Sequence, residues 1–494
     1  MCFSVLTVIF LVGVITLICY ISGVNVWGKN TQLNFPPGPR PLPLIGNLNI
    51  MDLKRPYNTL CELSEKYGSV FSIQLGMKKM VVLSGYETVK EALVNHAEEF
   101  EERARVPSFE DTSKGYGVLF SHGENWRVMR RFTIATLRDF GMGKRTTEDK
   151  IVEECGFLIN NFESYHGAPF DTMLNMALPV ANIIVSLVQG HRFDYNDPVL
   201  KRLILILDKG DRLLGSPKIS LFNIFPILGF LNGSLKAIRN IVTEVNDYIK
   251  FTLLECHKQL DINDQRCFID AFLSRQKEEK DNPNTYYSEE NLVNVVQNLF
   301  AAGMGTTAIT LRWSLLLMMK YPEIQEKVQE EIDRVIGSSQ PRTEHRKHMP
   351  YTDAVIHEVQ RFANIVPLNL PHETSRDINF KGYFLPKGTY IIPFLTSVLR
   401  DKTYFKNPKE FNPQHFLDAG GKFAKNDAFM PFSAGRRSCL GETLAKMELF
   451  LFFTSLLQKF TIRLPPGVTH VDLTPDIGIT NPPVPHLICA LPRS

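Results

Sequence analysis

Apolar positions along the chain follow two rhythms. From about residue 84 to 376 they recur mostly every three or four residues, the spacing of helices with one buried face. On either side the rhythm changes. Residues 58–67 read as a short helix. Val70–Leu75 and Met80–Leu83 are apolar-rich runs flanking Gly76, the first partly alternating, which predicts a hairpin. Strand-like runs punctuated by Gly and Pro return over 377–396 and again after 460. Length alone would favour about three domains. Strand partners this far apart in sequence instead imply one unit, so the expected fold is mainly α (α+β), a helical body with a small multi-segment sheet.

Helix signals are clearest in the second half. Ser288-Glu289-Glu290 offers a capping serine followed by first-turn acids. From there to about Lys320 the pattern stays helical, roughly 50 Å at about 1.5 Å per residue. Pro322 suits the first position of the next helix and Gly337 its end. Another helix begins near Thr352. A further one runs on from Leu440, with apolar residues at Leu440, Leu444, Met447 and Leu451.

Three stretches break the amphipathic pattern. Residues 2–21 carry no charge, enough to span a bilayer. No clear basic n-region or small-residue cleavage site accompanies them, so an uncleaved signal anchor is expected over 1–28. Lys29 and Arg40 follow the span, which places the body in the cytosol. Residues 34–47, NFPPGPRPLPLIGN, hold five prolines and make 29–49 a stiff hinge, leaving 50–494 as the folded body. Residues 213–231 are unusually apolar and interrupted by Gly and Pro; a buried helix pair would explain them.

Composition narrows the class. A net charge of +3 gives no sign of a globally basic nucleic-acid binder. Eight cysteines lie far apart with no C-x-x-C pair, which argues against zinc sites and a disulfide framework and fits a reducing compartment.

One cysteine stands out by its surroundings. In FSAGRRSCLG, residues 432–441, Gly435 can take a positive φ for a tight turn, and Cys439 lies at the mouth of the helix that follows. Unpaired N–H groups there favour a thiolate beside Arg436 and Arg437, a ligand for a soft or borderline metal. A buried structural cysteine is the plain alternative. Trp126 and Arg130 stand at i and i+4, two donors on one face, a place for a carboxylate or else an ordinary cation–π pair. In Ala301-Ala302-Gly303-Met304-Gly305-Thr306-Thr307, two interior glycines cost about 1 kcal/mol each against alanine. So small a face would let a flat ring lie against the helix. The plain alternative for Thr306 is a bond to the Ala302 carbonyl. Glu358 and Arg361, at i and i+3, would by spacing alone be an exposed pair worth roughly 0.2–0.5 kcal/mol.

Phe432-x-x-Gly435-x-Arg437-x-Cys439-x-Gly441 resembles the haem-ligating loop of the cytochrome P450 monooxygenases, and the other signatures follow in order: anchor and proline hinge, Trp/Arg helix, Gly–Thr helix, Glu-x-x-Arg, Cys loop. The resemblance is to microsomal family-two members and covers essentially the whole chain. It implies haem b bound through Cys439, O2 as co-substrate, and electrons from NADPH through a separate reductase, since no Gly-rich nucleotide motif is evident. It implies haem propionates held by Trp126, Arg130, Arg437, His372 and Arg103. It implies a proton-delivery role for Thr306, with Gly305 standing where relatives carry an acid. Glu358, Arg361 and His415 match a buried structural trio, with His415 where many relatives have Arg. Ala302, Ile365, Val366, Leu368, Ile477 and Ile479 become candidate substrate contacts, as apolar as ordinary core. Residues 213–231 would roof the substrate channel and dip into the membrane.

The implied activity is oxygen insertion into lipophilic molecules such as fatty acids or xenobiotics, at the endoplasmic reticulum membrane with the catalytic body facing the cytosol. Reductase would dock near Arg127, Arg131, Arg436 and Lys446, with cytochrome b5 as a second donor and membrane lipid as a further partner. Two rivals stay open: a haem-thiolate isomerase or dehydratase of oxygenated lipids, favoured by Gly305, and a non-catalytic haem carrier or sensor.

Overall fold

The computed structural model describes residues 7–8, 10–17 and 34–493 other than 232. Residues 7–8 and 10–17 are helical; the rest of the expected anchor and the first part of the hinge lie outside the described residues. The longer helices are α1 (Pro56–Tyr67), α2 (Gly123–Asp139), α3 (Arg145–Glu163), α4 (Thr172–Gln189), α5 (Pro198–Leu214), α6 (Gly233–Gln259), α7 (Phe268–Glu278), α8 (Glu289–Lys320), α9 (Pro322–Val335), α10 (Pro350–Ala363) and α11 (Glu442–Lys459). The strands are β1 (Val70–Leu75), β2 (Lys78–Leu83), β3 (Glu102–Arg103), β4 (Phe170–Asp171), β5 (His372–Glu373), β6 (Ile378–Phe380), β7 (Tyr383–Leu385), β8 (Tyr390–Pro393), β9 (Phe460–Arg463) and β10 (Leu487–Pro492).

The expected hairpin forms: β1 and β2 pair antiparallel, Val70 opposite Leu83. It grows into a five-stranded sheet of order β1-β2-β8-β5-β3, in which β2 and β8 run parallel although about 300 residues separate them. A second sheet has the order β4-β10-β9. Sheet and helices therefore fold as one body.

The 32-residue α8 is its axis. Ser288 caps it as expected, accepting from the Asn291 amide. It packs along α4 and against α10 and α11, and Trp313 is fully buried. Both α4 and α8 are long and apolar enough to cross a membrane. Both are largely enclosed by protein, which marks them as core helices.

Residues 213–231 depart from the expected buried helix pair. They form the end of α5, a short helix Pro217–Ile224 and a tight turn over Pro226–Leu231. Ile227 is 82% exposed and Leu221 40%. Ile219 and Phe222 are buried against Leu235 and Ile238 of α6. The segment is thus anchored on one side and leaves apolar surface open on the other.

Candidate active site

The Cys439 loop is held in place from three sides. Gly435 has φ 73, and a Cβ there would lie 1.8 Å from the Leu93 carbonyl oxygen, so both the turn and the close approach demand glycine. The Cys439 amide donates to the Phe432 carbonyl at 3.0 Å. Asn369 donates to Ser433 Oγ at 2.8 Å, tying the loop to segment 364–371.

Helix α11 begins at Glu442, and the backbone N–H groups of Gly441 and Glu442 point at the Cys439 sulfur. Burial nevertheless outweighs these donors and pushes the thiol up. Position alone therefore does not make the thiolate expected from sequence; a coordinated metal ion would. Cys439 keeps accessible surface despite the protein around it, as do Ala301 and Ala302 in the middle of α8. That is the pattern of residues lining an internal space.

The basic residues converge. Arg103 and His372 are cross-strand partners on β3 and β5. Trp126 and Arg130 come from α2, and Arg130 Nη2 donates to the Ser438 carbonyl at 2.6 Å. The Arg437 guanidinium lies 3.6 Å over the Trp126 ring, so the cation–π partner of Trp126 is Arg437 rather than the helix neighbour Arg130. Arg103 donates to the carbonyls of Leu119 and Leu370 at 3.2 and 3.1 Å. Arg437 donates to those of Glu101 and Ser121, both at 2.9 Å.

Haem, the group implied by the cysteine loop, carries two carboxylates, and the residues present fit it. Trp126 Nε1, His372 Nε2 and Arg437 Nη1 are buried with no hydrogen-bond partner in the protein. Buried polar atoms are normally satisfied; the Trp126 and Arg437 N–H groups await an acceptor, and the His372 nitrogen beside them is also unpartnered. Burial and then mutual repulsion push Arg103 down to about 9 and Arg437 to about 8. Burial, followed by Arg103, holds His372 well below its usual value. Its Nδ1 faces the Phe100 carbonyl and so carries the ring proton. Nε2 becomes a donor once a carboxylate beside it restores the charged form.

Along α8 the two glycines serve different ends. A Cβ on Gly303 would lie 2.6 Å from Ile184 Cδ1, whereas Gly305 has open space. Gly303 therefore admits helix α4 rather than a flat ring. Thr306 Oγ1 donates to the Ala302 carbonyl at 2.8 Å, the plain alternative considered for it.

Glu358 and Arg361 are not an exposed pair. Both side chains are fully buried and bonded twice at 2.7 Å. Arg361 also donates to the carbonyls of Leu399, Pro408 and Glu410. His415 Nδ1 lies 3.1 Å from Glu358 Oε2. The trio locks α10 to the helical turn Pro413–Phe416 and the loop before it, a structural role.

Two of the segments that carry candidate substrate residues meet. The Asn481 amide donates to the Ile365 carbonyl at 2.8 Å, bringing the loop of Ile477 and Ile479 to segment 364–371. Leu368 packs instead toward the β1–β2 sheet. Of the four proposed docking cations, Arg127 and Arg436 are held by Glu101, and Lys446 by Glu442. Arg131 is exposed and lacks an acidic partner among the described residues.

Sequence reasoning missed two acids. Glu448 of α11 is fully buried, facing the Thr307 hydroxyl, with Oε1 unpartnered. Asp211 of α5 grips Thr480. Both look like ordinary helix-surface acids in the sequence; an acid inside the apolar run MELFLFF was the available signal for Glu448.

The cytochrome P450 family model matches residues 36–490. Cytochrome P450 2K1 of Oncorhynchus mykiss is 53% identical over 467 residues, 93% of this chain and 92% of that protein. Cytochrome P450 2F2 of Mus musculus is 46% identical, covering 92% and 93% of the two chains. Cytochrome P450 2C23 of Rattus norvegicus is 44% identical over 97% and 98%.

Proposed function

This chain belongs to the cytochrome P450 family, and from that premise we propose which of its residues carry the reaction and where it runs. It is a haem-thiolate monooxygenase that inserts one oxygen atom of O2 into lipophilic substrates, with electrons from NADPH through a reductase. The isomerase reading is not favoured. Haem b, when bound, supplies the electron-transfer and dioxygen chemistry.

The polypeptide supplies the rest. Cys439 is the thiolate ligand, steadied by the Gly441 and Glu442 amides. Trp126, Arg130, Arg437, His372 and Arg103 hold the propionates. The observation that carries this reading is the pair of orphaned buried donors, Trp126 Nε1 and Arg437 Nη1, with the unpartnered His372 Nε2 beside them. Thr306 is the proton-handling hydroxyl of α8; to act, it must release the Ala302 carbonyl. Gly305 leaves room where a carboxylate would stand, so water takes that place. Ala302, Ile365, Val366 and Ile479 line the apolar pocket, while Leu368 packs toward the β1–β2 sheet.

The organisation proposed is an anchor over 1–28, a hinge over 29–49 and a catalytic domain over 50–494. The anchor sits in the endoplasmic reticulum membrane with the domain on its cytosolic side. The exposed Leu221 and Ile227 support contact with lipid. Reductase approaches through Arg131 first, then competes for Arg127, Arg436 and Lys446; cytochrome b5 shares that face.

The test is coupling. The protein is reconstituted with reductase, NADPH and a panel of fatty acids and apolar aromatics, and oxidised product is compared with hydrogen peroxide for wild type and Gly305→Glu. Efficient product formation by wild type supports Thr306 with water. Peroxide as the main product, cured by Gly305→Glu, identifies a real gap in proton delivery. Absence of NADPH consumption by both proteins would defeat the assigned residue roles.

A further inference from the structure

Residues 475–483 form a loop closed on itself. Pro475 and Pro483 form a bridge, and the Asp476 amide donates to the Pro482 carbonyl at 2.8 Å. Arg55 Nη2 holds the loop's start through the Pro475 carbonyl at 3.0 Å, and its far end has two attachments that differ in kind. On one side Asn481 is built into the core. Trp313 Nε1 of α8 donates to its carbonyl at 2.8 Å, and its own amide and side chain donate to the carbonyls of Ile365 and Asn364 at 2.8 and 3.1 Å. These bonds are neutral and join elements of the main core.

On the other side the loop hangs on α5, chiefly through one carboxylate. Thr480 Oγ1 donates to Asp211 Oδ2 at 2.8 Å and the Thr480 amide to Oδ1 at 3.2 Å. The Ile479 amide reaches the Asp211 carbonyl at 3.2 Å. The fit leaves no room for side chains: a Cβ on Gly478 would lie 2.2 Å from Asp211 Oδ2, and one on Gly215 would lie 2.0 Å from the Gly478 carbonyl carbon. Arg212 adds an ion pair to Asp476 while also holding Asp208. Burial pushes the Asp211 carboxyl up to about 6 against the pull of Thr480. Beyond Gly215 the chain enters segment 216–231, held by Ile219 and Phe222 against α6 and by the Ser108 amide donating to Asn223 Oδ1 at 2.9 Å.

We propose that Asp211 is a latch that positions the substrate pocket: by gripping Thr480 it holds Ile479 against the end of α5, and its release lets this corner of the roof part from the loop. Asn481 is the hinge and Asp211 the catch. The latch sets how bulky a lipophilic substrate the pocket admits. This rests on the reading that Ile479 lines the pocket, so the experiment includes Ile479→Ala as a separate arm.

The holoenzyme is compared with Asp211→Asn and with Thr480→Val, which deletes a single hydroxyl and covers the case in which the first variant folds poorly. Hydrogen exchange is read at the amides of Ile479, Thr480 and Asn481, and spectral Kd is measured for alkyl- and aryl-imidazoles of increasing bulk. Losing one bond to a charged group is expected to speed exchange at Ile479 and Thr480 by about tenfold or more, with Asn481 unchanged. Bulky imidazoles should gain affinity relative to small ones, and the double variant should add little to either single one. Unchanged exchange, or exchange that rises equally at Asn481, would overturn the latch. If Ile479→Ala alters the size preference but neither latch variant does, the latch fails and the pocket reading stands. If none of the three alters it, the pocket reading itself fails.

Discussion

Around Cys439 each anchoring side chain is itself anchored, whereas along the middle of α8 almost nothing is. Arg437 is tied to two carbonyls and stacked on Trp126. Arg103 is tied to two more, and Arg130 holds the loop's own Ser438. On α8, Thr306 bonds only to its own helix, and Gly305 faces open space. The contrast follows from what each side must do. An anionic ring binds best to donors fixed before it arrives, because little ordering entropy remains to be lost. A surface that must accept dioxygen, water and substrates of varied shape cannot be filled in advance.

The seam between the two sides offers the largest effect. Glu448 of α11 meets Thr307 of α8, and burial pushes its carboxyl up to about 8. The unfolded chain ionises this acid near its ordinary value of 4.5, so between that pH and about 8 the folded state holds a proton that the unfolded state has lost. Stability therefore falls as pH rises through this window and levels off above it. The stabilisation lost is on the order of several kcal/mol. Glu448→Gln keeps the shape and removes the titration. Thermal midpoints of the holoprotein should fall less steeply with pH in this variant than in wild type; parallel slopes would show that the acid is not neutral in the fold.

The thiolate side breaks next. Arg437→Lys removes the planar fork whose other donors are already committed. Losing charge-assisted bonds of about 1.5–3 kcal/mol predicts haem dissociation roughly 10- to 100-fold faster, measured by transfer to an apo-globin acceptor. Trp126→Phe keeps a ring under Arg437 but loses the orphaned N–H, and should cost about 1 kcal/mol. Haem loss at the wild-type rate in both would break the assignment of these donors to carboxylates.

Much of this was legible in sequence because the motifs encode backbone demands. Gly435 had to be glycine for a turn, and Ser288 and Pro322 mark helix starts by capping chemistry. Glu358, Arg361 and His415, grouped by motif, do meet in the fold. The burial of that trio was not readable from i, i+3 spacing, which describes exposed and buried pairs alike. What stayed hidden depends on tertiary approach. No local pattern announces that Gly478 and Gly215 are glycines because two backbones nearly touch, or that Asp211 faces Thr480 some 270 residues away. Burial of Cys439 was hidden likewise: it is a property of the fold and opposes the local N–H groups, so the helix start alone does not account for a thiolate there.

The two glycines of α8 give the smallest and most discriminating test. An alanine normally stabilises a helix interior over glycine by about 1 kcal/mol. At Gly305 nothing opposes that gain, because a Cβ meets no atom within 4 Å. Gly305→Ala should therefore be neutral or raise stability by up to about 1 kcal/mol. At Gly303 the same methyl would press on Ile184 at 2.6 Å, so α4 must shift or Ile184 must leave its rotamer. Overpacking of this kind costs about 1–3 kcal/mol, more than the propensity gain. Chemical denaturation of the two variants beside wild type reads the sign directly. Opposite signs mean that Gly303 serves helix packing and Gly305 keeps space free. If both variants lose stability, something beyond helix propensity and packing fills the space beside Gly305, and the openness of the α8 side no longer explains why an acid is missing there.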